Sequence, residues 1–105
     1  MAACCNQSAP PPTKEEFLTQ KLENFRAFLE PHCTTPDLQE KLKTYSSLKA
    51  VMPWLYQAAA VVRAGQIEAA VTKFCESFGN AGKTDAFRTR IRRTLQMFAD
   101  VMISA

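Results

Sequence analysis

Leu18, Leu22, Phe25 and Leu29 stand four, three and four residues apart, and this spacing returns in four later segments. Apolar residues at that interval share one side of an α-helix. No stretch shows the two-residue alternation of a strand bounded by turn residues. The chain is therefore expected to be all-α, a compact antiparallel bundle of four to five helices.

Capping residues and prolines divide the pattern. Thr13-Lys14-Glu15-Glu16 fits a capping box, so a first helix is predicted from Thr13, with Phe17 and Phe28 flanking its stripe and Pro31 ending it. Thr35-Pro36-Asp37 reads as an N-cap, a first-turn proline and a carboxylate at the positive helix end. A second helix is predicted from there, burying Leu38, Leu42, Tyr45, Leu48 and Met52 and ending or kinking at Pro53. The third, from about Pro53 to Ala64, holds WLYQAAAVVRA and is apolar nearly all round. Such a helix is expected at the centre, with Gly65 as its stop. The fourth turns Ile67, Ala70, Val71, Phe74 and Phe78 inward and ends at Gly79; GNAGK is a loop. The fifth starts near Thr84 or Asp85, with Phe87, Ile91, Leu95, Phe98 and Met102 inward. Residues 13–105 make the helical domain, and 1–12, small, polar and ending in three prolines, read as a disordered tail.

The pair formed by helices 3 and 4 resembles a tetratricopeptide-type helical hairpin. Trp54, Ala58, Val61, Gly65, Ile67, Ala70 and Phe74 fall at that repeat's positions, with Gln57 where a Leu is expected and Val61 and Ile67 in place of aromatics. AGQIEAAVTKF followed by FRTRIRRTLQMFADVM is also similar to the last two helices of the microtubule-interacting-and-trafficking domain. The resemblance spans residues 54–78, about half the chain with helix 5 added, and implies protein binding. No second copy of the repeat is found, whereas a solenoid needs about three.

Charge separates the last segment from the rest. Residues 1–82 hold eight basic and eight acidic side chains; residues 83–105 hold five and two, so the net charge of +3 belongs to that segment. Arg88, Arg90, Arg92 and Arg93 lie within six residues of one another. On a helical wheel with Phe87 at zero, Arg88 and Arg92 fall at about 100° and 140°, and Arg93 and Arg90 at about 240° and 300°. They bracket the polar face instead of forming one row. Two readings follow. Arginines so placed, with Lys83 and Arg63 added, suit phosphates on both sides of the helix, as on duplex RNA or an acidic partner. Small all-α viral RNA-silencing suppressors work by this kind of contact; there is no sequence match to them. Alternatively the arginines lie beside the core stripe and pair with Asp85, Asp100 or acids of helix 1.

Other features point away from chemistry. The cysteines are Cys4, Cys5, Cys33 and Cys75, with no C-x-x-C pair and one histidine, His32. No zinc or other metal site is expected, and no cofactor. His32-Cys33 would need imidazole and thiol in hydrogen-bond reach with a third group orienting the base, which a loop after Pro31 does not supply. Cys75 reads as a small buried hydrophobe. Cys4-Cys5 could carry acyl chains, but Ala2 replaces the glycine of myristoylation and no basic run adjoins. GNAGK lacks Walker spacing and follows a helix. Trp54 and Tyr56 are either core residues or binding anchors. No apolar run is long enough to span a membrane, and no secretory leader is read at the N-terminus.

The expectation is a small non-enzymatic protein-interaction or adaptor module of the cytosol or nucleus. Its partner would lie along helices 3–5, and wide apolar stripes on helices 1 and 5 also admit a homodimer. The second expectation is an RNA-binding protein using Arg88, Arg90, Arg92 and Arg93.

Overall fold

The computed structural model describes residues 13–104, among which there are five α-helices and no strand. They are α1 (Lys14–Leu29), α2 (Pro36–Lys43), α3 (Leu48–Arg63), α4 (Ile67–Glu76) and α5 (Asp85–Ile103). Short 3₁₀ turns at Glu30–His32 and Ala81–Lys83 follow α1 and precede α5. The segment 1–12, with Cys4 and Cys5, lies outside the described residues.

Local chemistry explains the boundaries. The Thr13 hydroxyl accepts from the Glu16 N–H at 3.1 Å, and the Glu16 carboxylate accepts from the Thr13 N–H at 2.9 Å. This reciprocal pair satisfies two donors that the first turn leaves free. Chiefly through the Thr13 N–H, it also holds the Glu16 carboxyl below its ordinary pKa. Thr35 caps α2 by accepting from Leu38 N–H, and Thr84 caps α5 by accepting from Phe87 N–H.

The region 35–64 departs from the predicted pattern. The helix expected to run from Thr35 to Met52 ends at Lys43, and α3 begins five residues before Pro53. Ser47 is the cause: its hydroxyl accepts from Ala50 N–H at 3.2 Å and starts a new helix. The intervening turn drives Tyr45 into the core. Pro53 sits inside α3 and neither ends the helix nor begins it. It lacks the N–H that would reach the Lys49 carbonyl. Both residues are exposed, so solvent can hydrate that carbonyl.

At the other end of α3, Gly65 adopts φ 72°, and its N–H donates to the Val62 carbonyl while Gln66 N–H donates to that of Val61. This is the Schellman arrangement, which reverses the chain into α4. Gly82 serves a different end. A Cβ there would sit 1.9 Å from the Cys75 carbonyl oxygen, so only glycine lets the turn before α5 lie against the end of α4.

The core is an aromatic network threaded through all the long helices. The Phe25 ring lies 5.5 Å from Tyr45, 5.9 Å from Trp54, 5.9 Å from Phe74 and 6.4 Å from Phe98. Phe74 continues to Phe78, Phe87, Phe28 and His32 in steps of 5.1–5.5 Å. Offset and edge-on pairs of this kind add about 0.5–1.5 kcal/mol each beyond the area they bury.

The hub is α5, not α3. Both α3 and α4 pack more extensively on α5 than on each other, and α1 lies across α3 and α5. The apolar composition of α3 suggested burial on all sides. Instead Pro53, Tyr56, Gln57 and Ala60 face solvent, Tyr56 at 61% exposure. Alanine loses little by exposure, so a helix rich in it need not be enclosed.

Candidate functional site

Since α3 and α4 both lean on α5, a gap is left between them. It forms a groove of about 480 Å³. Trp54, Ala58 and Val61 of α3 line one wall, Ala69, Ala70, Lys73 and Phe74 of α4 the other, with Leu95 of α5 at the base. Lys41 reaches it from α2, and Gln57, Gln66 and Ser77 add polar edges. Trp54 is half-buried: its ring stacks on Phe25 at 16° between planes and meets Tyr45 edge-on at 5.4 Å. It is both part of the core packing and part of the groove wall.

The groove is basic. The Lys41 ammonium lies 5.1 Å from the Phe74 ring centroid, a cation–π contact. Partial burial lowers its pKa from the ordinary lysine value, because desolvation disfavours the charged form. Among the described residues the ion pairs are Glu40–Lys43 and Glu68–Arg92, so neither Lys41 nor Lys73 has a carboxylate partner there.

Arg88, Arg92 and Arg90 occupy the two flanks that the helical wheel assigns them. Arg88 donates to the Thr72 hydroxyl at 3.0 Å, and Arg92 to Glu68 at 2.6–2.7 Å. As numbers rise by four along α5 they fall by four along α4, which fixes the two helices as antiparallel. The acid that Arg92 finds is Glu68, rather than Asp85, Asp100 or one on α1. On the opposite flank the Arg90 guanidinium lies 4.7 Å from the Phe28 ring centroid. Arg93 is exposed beside a shallow depression formed with Arg92, Gln96, Met97, Asp100 and Val101. Lys83 precedes α5 at its N-terminal end; Arg63 closes α3 at the other end of the bundle, where α4 begins. The six basic residues are thus spread over two flanks, the outer face and two ends.

Cys33 and Cys75 are buried thiols. Burial raises the pKa of both, with the Glu30 charge adding to the effect at Cys33. The Cys33 thiol donates to the Leu29 carbonyl at 3.3 Å, while His32 packs against Phe28 and Phe87. Cys75 is the small buried hydrophobe its spacing suggested. No helix among the described residues is long and apolar enough to cross a membrane.

Lys41 and Lys73 were not legible as site residues. They are 32 positions apart, each next to a core residue in the chain, and no motif links them. No family model, curated protein or solved structure matches the chain.

Proposed function

We propose that this protein is a small non-enzymatic interaction module that binds a partner protein through the groove between α3 and α4. One observation carries this: an open groove of mixed polar and apolar lining whose walls include half-buried Trp54 and whose edge holds two lysines without carboxylate partners among the described residues. Interaction hot spots favour a large aromatic anchored in the fold but open on one side. The tetratricopeptide-like spacing of residues 54–78 is consistent with such a role.

The arginine geometry favours protein over duplex RNA as partner. Arg88, Arg90 and Arg92 already contact Thr72, Phe28 and Glu68, so phosphate binding would have to compete with contacts inside the fold. The burial of the Cys33 thiol and its bond to Leu29 support a binding role over a nucleophilic one.

Selection from a random peptide display library on the immobilised protein, followed by amide-shift mapping of the winners, tests the proposal. Winners should move the amides of Gln57, Ala69 and Lys73 and leave Thr19 and Glu23 on the outer face of α1 unmoved. A selection that enriches nothing, or peptides that map elsewhere, would refute it. Duplex-RNA affinity that falls steeply with salt and is lost on neutralising Arg88 and Arg92 would support the RNA alternative.

A further inference from the structure

We infer that the occupant of the α3–α4 groove is an acidic, amphipathic peptide segment of a partner protein. Its apolar side chain would seat against Trp54 and Phe74, and its carboxylates would pair with Lys41 and Lys73. This rests on the groove being the protein-binding surface and adds the chemistry of what binds there.

Charge complementarity is the first reason. The groove brings together cations from two helices, α2 and α4, and no described carboxylate pairs with either. Lys41 is held partly desolvated over the Phe74 ring. A carboxylate arriving beside it would form a charge-assisted hydrogen bond in a setting drier than bulk water, where such bonds are stronger. Arg92 differs: Glu68 already satisfies it, so it offers an acidic partner less.

The apolar lining is the second reason. A purely anionic ligand would leave the Trp54, Val61 and Ala70 surfaces in contact with water. A peptide that alternates acidic and bulky apolar side chains fits both halves of the groove. Nucleic acid fits less well. Among the residues lining the groove Trp54 and Phe74 are the only aromatic rings, and Lys41 lies over the Phe74 ring, so the groove holds no row of open rings on which successive bases could stack. The chain's own segment 1–12 contains no Asp or Glu and cannot supply the carboxylates.

Three fluorescent peptides with the same Trp and Leu anchors, flanked by Glu, Gln or Lys, test the inference by anisotropy and by amide-shift mapping on the full chain. The Glu peptide should bind about tenfold more tightly than the Gln peptide at low salt, and the Lys peptide more weakly than either. Lys41→Gln with Lys73→Gln should erase the Glu preference, so that the Glu and Gln peptides bind the variant with equal affinity, with the circular dichroism spectrum intact. If the peptides shift groove amides without regard to flank charge, or the Lys peptide is preferred, the acidic occupant is wrong and the binding groove stands. If none shifts the groove, both fail. Concentration-dependent groove shifts without peptide would assign the site to a second copy of the chain. Duplex-RNA shifts centred on Lys41 and Lys73 would assign it to nucleic acid.

Discussion

Helices α5 and α3 are both long, and the bundle treats them differently. Of the 19 residues of α5, six are buried: Phe87, Ile91, Thr94, Leu95, Phe98 and Ala99. Its flanks are closed as well, by Arg88 and Arg92 on α4 and by Arg90 on Phe28. Of the 16 residues of α3, only Val51, Leu55, Ala58 and Ala59 are buried. One of its flanks opens on the groove, and its outer face meets water with Tyr56. A helix held along both flanks gives stability and leaves only its outer face, with Arg93, to solvent; one with a flank open on a groove can hold a partner. The charged helix is the closed one because long arginine side chains reach over neighbours that alanines cannot reach.

The contrast can be broken first at Phe98. It is fully buried and touches Phe25 and Trp54, so Phe98→Ala should cost about 3–5 kcal/mol in urea unfolding. Trp54→Ala should cost less, because that ring is only half-buried, while weakening peptide binding in the groove. Equal stability losses would mean that α3 is as enclosed as α5. Gly82→Ala comes next. Its Cβ would meet the Cys75 carbonyl, forcing the α5 entry away from α4 at about 1–3 kcal/mol; an unchanged melting temperature would disprove that close approach.

The flank contacts are expected to matter less. A double-mutant cycle with Arg92→Gln and Glu68→Gln should give a coupling of about 0.2–1 kcal/mol, falling as salt rises, because both side chains are more than half exposed. A coupling above that range would make the flank a main support of α5. The smallest effect is expected at Tyr56→Ser, within about 0.5 kcal/mol, since the ring is largely in water. A larger loss on dilution-dependent unfolding would reveal that Tyr56 is covered by a second copy.

Much of the fold was legible. The caps at Thr13 and Thr35, the start near Thr84, the stop at Gly65 and the inward stripes of α1, α4 and α5 follow from spacing and residue chemistry. Two things were not. Tyr45-Ser46-Ser47 lies inside a helical apolar rhythm, which masks the cap that divides α2 from α3. Pro53 looks like a boundary because local sterics disfavour it within a helix, but packing of Val51, Leu55 and Ala58 carries α3 through it.

The sequence by itself determined that this chain is helical, where most helices begin and end, and which flanks Arg88, Arg90 and Arg92 take. Those properties depend on hydrogen bonds and angles within a few residues. Only the tertiary structure decided that α5 is the hub, that α3 keeps an open side, and that Lys41 and Lys73 share one groove with Trp54. Such choices arise where helices compete for the same buried surface, and no single helix carries that information.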